Sequence, residues 1–206
     1  IDALADSGSV LELRRDYGVG IVTAFVRIEG NAFGLFANDP RHLGGAIDGP
    51  GAEKAARFLQ LCDAYGLPVI SLCDTPGFMV GPDSEKTAAV RRGSRLLIVS
   101  ANLEVPLFTI VLRKGYGLGA QAMCGGSFHR PFFTLSWPTG EFGPMGLEGA
   151  VQLGFRKELD AEPDPVARQA LYERLLAKMY ADGKAVNVAS QMEDDAVIDP
   201  ADTRAW

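Results

Sequence analysis

Leu67-Pro68-Val69-Ile70-Ser71-Leu72-Cys73 runs into Asp74-Thr75-Pro76-Gly77-Phe78, and Val105-Pro106-Leu107-Phe108-Thr109-Ile110-Val111-Leu112 runs into Arg113-Lys114-Gly115-Tyr116-Gly117. Each is a short apolar run bounded by turn residues, the pattern of a strand buried on both faces. Pro68 and Pro106 are 38 residues apart, and so are Gly77 and Gly115. Between the strands, Ser84 to Leu103 has the length and pattern of a helix of about five turns. The repeated unit is therefore strand, glycine turn, helix. Such units stack, either into an open parallel sheet or into a superhelix of β-β-α turns.

Outward from this repeat, the elements are ordinary. Val19–Ile28 and Asn31–Ala37 read as a hairpin around Glu29-Gly30-Asn31, and Ala52–Tyr65 as a helix that Gly66 ends. A weaker third unit places a strand at Phe132–Trp137, a loop at Pro138–Gly146 and a helix at Leu147–Leu159. Asp164-Pro165 then opens an amphipathic helix to Tyr180, with a capping residue followed by proline at the first position. No flexible linker divides the 206 residues, so a single domain is expected.

With 47% hydrophobic and 22% charged residues, the chain has the composition of a folded globular protein, which excludes wholesale disorder. Its net charge of −6 arises entirely in residues 158–206, where five bases meet eleven acids; residues 1–157 balance fifteen with fifteen. An acidic end argues against a nucleic-acid partner. The segment from Glu193 to Asp202 reads as a solvated face or a strand edge. No apolar run approaches the roughly 20 residues of a membrane helix, and the N-terminus lacks a signal-peptide pattern. Cys62, Cys73 and Cys124 lie in apolar stretches and read as reduced structural thiols, which predicts a cytoplasmic location. The first residue, Ile1, reads as the start of a piece of a longer polypeptide.

Side-chain chemistry is sparse. His42 and His129 stand in separate loops without metal spacing and read as surface or hydrogen-bonded loop residues. No G-x-S-x-G elbow is present, and Asp74-x-x-Gly77 has no phosphate-binding loop to accompany it. What remains is Gly115-Tyr116-Gly117-Leu118-Gly119-Ala120, at the end of a buried strand and the start of a helical stretch, Gln121 to Cys124. Three readings compete there. The glycines permit close packing; or Gly115-x-Gly117-x-x-Ala120, with Glu141 21 residues beyond Ala120, is a dinucleotide fingerprint; or the backbone N–H groups form an oxyanion hole.

At these residues the sequence resembles the carboxyltransferase of biotin-dependent acyl-CoA carboxylases, in the C-terminal half of the β-subunit type. The resemblance is carried in order by Gly44-Gly45-Ala46-Ile47-Asp48, Gly51 to Phe58, Leu72 to Phe78, Arg113 to Gly117, Ser136-Trp137-Pro138-Thr139, Met145 to Ala150, and Asp194 to Arg204. It implies an α/β crotonase-like fold, the β-β-α superhelix. It also implies transfer of a carboxyl group from carboxybiotin to the α-carbon of an acyl-CoA. Under the resemblance, the N–H groups of Leu118 and Gly119 form the oxyanion hole for the biotin ureido oxygen, and Gly117 allows close approach. Thr75, Pro76, Gly77 and Phe78 line the biotin side, with Gly115, Tyr116 and Ala120 in the same cofactor-binding turn.

The family pattern of Gly-Gly-Ala-Tyr and an acidic residue is here Gly117-Leu118-Gly119-Ala120-Gln121, so the acyl-pocket position falls on Gln121. The implied partners are a biotin carboxyl carrier protein or domain, a biotin carboxylase subunit, the CoA-binding N-terminal half and further copies in a homo-oligomer. This chain corresponds to the half without the CoA-binding segment and is expected to be inactive alone. A catalytically silent assembly module of the same fold stands as the competing class.

Overall fold

A computed structural model describes residues 1–206. In chain order it contains β1 (Leu11–Glu12), β2 (Ile21–Ile28), β3 (Asn31–Asn38), α1 (Gly49–Ala64), β4 (Val69–Thr75), α2 (Pro82–Glu85), α3 (Ala89–Ala101), β5 (Leu107–Tyr116), α4 (Gly117–Met123), β6 (Phe133–Ser136), β7 (Glu141–Gly143), α5 (Leu147–Gly154), α6 (Arg156–Ala161), α7 (Pro165–Asp182), α8 (Ala185–Ala189) and β8 (Ala196–Val197). The sheet runs β1-β2-β3-β4-β5-β6-β8, with β7 also on β5. Its first three strands are antiparallel and the pairs from β3 onward are parallel.

The 38-residue spacing is the register of the central pair. Val69 stands beside Leu107, and the pairing continues at the same offset to Cys73 beside Val111. It then slips, and Thr75 stands beside Gly115, an offset of 40. The two extra residues in β5 make Gly117, rather than Gly115, the counterpart of Gly77. At the slip the carboxylate of Asp74 accepts from the Lys114 N–H at 3.2 Å and from the Arg113 guanidinium at 3.0 Å. A ladder irregularity leaves backbone donors in need of acceptors, and Asp74 supplies one here.

Alternation along the strands sorts side chains to two cores. Val69, Cys73, Leu107 and Val111 face the helices with Phe58, Leu59 and Leu96, whereas Ile70, Leu72, Ile110 and Leu135 face the opposite side. All seven residues of β4 are buried, as a strand covered on both faces requires. The second face is closed by the chain ends: Ala5 and Ile198 join its core, and the Arg204 guanidinium donates to the Leu4 carbonyl at 2.8 Å. Strand β5 is shared, since Phe108–Val111 pairs with β6 and Lys114–Tyr116 with β7. The preceding turn repeats this on a smaller scale, as Ile47 bridges Phe78 in parallel beyond the end of β4. The arrangement is the superhelix, not the open sheet.

Several boundaries differ from the sequence reading. The first helix begins at Gly49, because the Asp48 carboxylate accepts from the Gly51 N–H at 2.8 Å and Pro50 occupies its first turn. The expected helix from Ser84 is broken at Ala88, which has φ +58°, into α2 and α3. The helix from Leu147 is kinked at Phe155 into α5 and α6. None of the 18 residues of α7 is buried, since it packs at the periphery of α5, α6 and α8 rather than on the sheet.

The acidic C-terminal segment does supply an edge strand, β8, but its aspartates are not all solvated. Asp195 accepts from the Thr134 N–H at 2.7 Å. Asp194 is 6% exposed, holds the Ser136 hydroxyl with one oxygen and leaves the other without a partner. Burial raises the Asp194 carboxyl above its ordinary range, against the Ser136 hydrogen bond that lowers it. With the folded pKa above the unfolded one, stability falls as pH rises from the unfolded pKa of about 3.9 through the folded value. Asp194→Asn is therefore expected to match the parent in Tm at pH 3 and to exceed it at pH 7, by about 1 kcal/mol of stability. An equal or lower Tm at pH 7 would contradict this account.

Candidate active site

The turn that opens α4 is built on two glycines with different tasks. Gly117 has φ +58°, and a Cβ on it would lie 2.7 Å from the Pro144 carbonyl oxygen. Gly119 faces the other bend: its Cβ would stand 2.7 Å from both the Cα and the carbonyl carbon of Gly77. Gly77 itself has φ +125°. The two repeat units thus touch backbone to backbone, a contact that only glycine at 119 permits.

Leu118 and Gly119 are the second and third residues of α4, and such amides have no carbonyl one turn behind them in the helix. Tyr116, at the N-cap, offers no side-chain cap. The Leu118 side chain is 61% exposed, and Gly119 is buried beneath it. Two preset donors at the edge of the fold are what an anion-stabilising site needs.

A strut of loop contacts fixes the facing bend. The Thr75 hydroxyl donates to the Gly77 carbonyl and accepts from the Gly77 N–H, both at 3.1 Å. The Gly77 carbonyl also accepts from the Ile47 N–H at 2.9 Å, and the Met79 N–H donates to the Ile47 carbonyl at 2.9 Å. Lys114 Nζ donates to the Gly44 carbonyl. Gly45 lies so close that a Cβ there would be 2.3 Å from the Asp74 carbonyl oxygen.

The structure therefore divides the sequence-predicted residues. Leu118, Gly119, Gly117, Gly77 and Phe78 come together, with Pro76 half-buried beside them. Thr75 is fully buried and serves the Gly77 bend, and Ala120 is fully buried in the helix-side core. Gly115 and Tyr116 belong to β5 rather than to a turn. The Tyr116 ring is 5% exposed and its hydroxyl donates to Glu141 at 2.9 Å, so these four position the turn from within rather than line it. Burial and the Glu141 carboxylate together push the Tyr116 hydroxyl well above its ordinary pKa. Gln121 is half-buried in the second turn of α4.

The dinucleotide pattern loses its geometry: Gly115 is a strand residue, and Glu141 is occupied by Tyr116. His42 pairs with Asp48 at 3.2 Å and His129 with Glu193 at 3.3 Å, both away from the turn. All three cysteines are free and buried, and burial pushes the Cys62 thiol up to about 12. No group of histidine, cysteine and acidic side chains has metal-binding geometry, and no helix is long and apolar enough to cross a membrane.

Sequence reasoning missed a cavity of about 240 Å³ at the same edge, lined by Phe78, Val80, Val90, Leu97 and Leu118 among others. The signal was available in Val80 and Val90, apolar residues beside the bend and on α3. Nothing in the sequence alone brings those two segments together.

Strands whose ends carry glycine bends, stacked in a β-β-α superhelix, define a crotonase-like fold. The chain belongs to the carboxyl transferase domain family, which matches it over residues 1–206. It is 37% identical over 204 residues to the methylmalonyl-CoA carboxyltransferase 12S subunit of Propionibacterium freudenreichii subsp. shermanii, covering 99% of this chain and 38% of that protein. Among solved structures, a single-chain, multi-domain long-chain acyl-CoA carboxylase superposes with a TM-score of 0.88 at 61% identity, over 100% of this chain and 20% of that one. The hexameric transcarboxylase 12S with methylmalonyl-CoA bound gives 0.89 at 35% identity, over 98% of this chain and 38% of that one. The chain spans under two fifths of the length of the curated relatives it matches.

Proposed function

We propose that this chain is the C-terminal half of a biotin-dependent acyl-CoA carboxyltransferase, and that it stabilises the negative charge that develops on the biotin ureido oxygen during carboxyl transfer. The observation that carries the reading is the pair of uncapped amides at Leu118 and Gly119, set against the Gly77 bend in a chain of this family. Carboxybiotin supplies an activated carboxyl group, and the acceptor is the α-carbon of an acyl-CoA.

The residues present suit such a guest. The cradle offers backbone donors to a growing charge, and its glycines let the two bends pack backbone to backbone, which holds those donors in place. Phe78 and the exposed Leu118 side chain supply apolar surface beside it, and the resemblance gives Gln121 the acyl-pocket position. Preorganised donors of this kind contribute several kcal/mol to a transition state without any titrating side chain. That fits a site whose neighbourhood holds no free histidine.

The reading extends to partners: a biotin carboxyl carrier protein or domain, a biotin carboxylase, the CoA-binding N-terminal half and further copies in an oligomer. The hexameric relative supports the last of these. A silent assembly module of the same fold has less support, because no side chain caps the first turn of α4 that carries Leu118 and Gly119. In crystals of the full-length protein soaked with biotin, the ureido oxygen is expected about 3 Å from the nitrogens of both Leu118 and Gly119. A ureido group bound elsewhere, or amides found bonded within the protein, would end this reading.

A further inference from the structure

Asp74 is 7% exposed, at the end of a strand whose other side chains are aliphatic, hydroxyl or thiol. A carboxylate is costly to bury in such a strand unless donors meet it. Three meet this one. Its Oδ1 accepts from the Lys114 N–H at 3.2 Å and from the Arg113 Nε at 3.3 Å, and its Oδ2 accepts from the Arg113 Nη2 at 3.0 Å. The neighbouring Cys73 thiol donates to the Lys114 carbonyl at 3.7 Å. Both main-chain polar groups of Lys114 are thus held by side chains of β4. The Asp74 main chain is fixed in turn, its N–H donating to the Asn38 side-chain oxygen at 3.0 Å. This clamp lies inside the slip, between Cys73 beside Val111 and Thr75 beside Gly115. From it, Gly77 is three residues along one strand and Leu118 four along the other.

We propose that Asp74 is the positioning residue of the donor turn: by holding Lys114 in the shifted register, its carboxylate sets the Leu118 and Gly119 amides against the Gly77 bend. The proposal rests on the carboxyl-transfer reading. Asp74 acts through the turn and not on a reactant. An unshifted ladder would put Gly77 opposite Gly115 and carry the donor amides two residues past the bend, about 6–7 Å along a strand. Hydrogen-bond geometry tolerates a few tenths of an ångström. The slip is therefore what brings donors and bend together, and the carboxylate satisfies the donors that the slip leaves over.

The test uses the full-length enzyme with its biotinylated carrier. Asp74→Ala leaves the Lys114 N–H and the Arg113 guanidinium without their acceptor. The donors act on charge that develops only in the transition state, so kcat is expected to fall about 10²-fold while the KM for acyl-CoA and for carrier stays unchanged. Asp74→Asn keeps an oxygen for the Lys114 N–H but turns an N–H group toward Arg113, and it is expected to recover about tenfold of that loss. A double variant separates positioning from plain stability. With Gly119→Ala the donors are already misdirected, so adding Asp74→Ala is expected to lower kcat by about twofold or less, whereas a role in stability alone would repeat the whole loss. Parental kcat in the folded variants, a change confined to KM, or the whole loss repeated beside Gly119→Ala overturns the proposal while the carboxyl-transfer reading stands. Where Asp74→Ala does not fold, Asp74→Asn decides by the same three readings. A parent enzyme that transfers no carboxyl group to any acyl-CoA overturns that reading, and the proposal with it.

Discussion

Alanine at Gly119 in the full-length protein is expected to lower kcat/KM for carboxyl transfer by about 10²–10³-fold, the loss seen when one oxyanion donor is removed. The added methyl would lie 2.7 Å from two backbone atoms of Gly77 and 3.0 Å from the Phe78 nitrogen, where no flexible side chain can move aside. The first turn of α4 has to retreat from the bend. Donors must lie within about 2.7–3.1 Å of the developing anion, so a retreat of a few tenths of an ångström misdirects both amides at once. Overpacking of this kind also costs about 1–3 kcal/mol of stability, which alone does not lower the rate of a folded enzyme. Met123→Ala separates the two effects. Met123 is fully buried at the far end of the same helix, and its truncation costs about 2–5 kcal/mol without touching the donor turn. Assayed well below its Tm, that variant is expected to keep its kcat/KM. A folded Gly119→Ala enzyme with parental kcat/KM would remove Leu118 and Gly119 from the mechanism.

The central architecture was legible because one number governs it. Two apolar runs 38 residues apart are strands one superhelical turn apart, and in a parallel pair that separation becomes the register between Val69 and Leu107. The hairpin was legible for a local reason. Glu29 and Gly30 both adopt positive φ, at +51° and +80°, which is the turn a right-twisted two-residue hairpin requires. The break at Ala88 was not. Thr87, Ala88 and Ala89 carry no local stop signal, and the residues that use the new direction, Gly93 against Phe78 and Leu96 in the core, lie beyond it.

The site was half legible for a related reason. Glycine spacing marked the turn, and the family resemblance marked Leu118 and Gly119 within it. Aligning Gly77 with Gly115 by their spacing, however, conceals the slip at Asp74, which makes Gly117 the counterpart of Gly77 and pulls Gly115 and Tyr116 into β5. Pattern also could not show that Thr75 and Ala120 face inward, because small residues suit a turn and a core equally. The apolar cavity depends on α3 meeting the Gly77 bend, and tertiary contacts of that kind leave no periodic trace.

The second large effect concerns the chain by itself. Carboxyl transfer to an acyl-CoA places charge on two oxygens, the ureido oxygen of biotin and the thioester oxygen of the enolate. Under the proposed function, the Leu118–Gly119 turn serves one of them. Under the resemblance, the donors for the other and most of the CoA contacts belong to the N-terminal half, and this chain matches 38% of the length of such relatives. Loss of even one donor from such a hole costs about 10²–10³ in rate. Loss of the surface that fixes the acceptor against the donor removes a positioning advantage that reaches about 7 kcal/mol or more. The isolated 206 residues, supplied with carboxylated biotin carrier and acyl-CoA, are therefore expected to show no acyl-CoA-dependent decarboxylation or transfer above the uncatalysed background. Adding the CoA-binding half in trans is expected to restore a measurable rate, because the donor turn is already formed. Turnover by the isolated chain would mean that both oxygens are served within it, and the division of labour between the two halves would have to be abandoned.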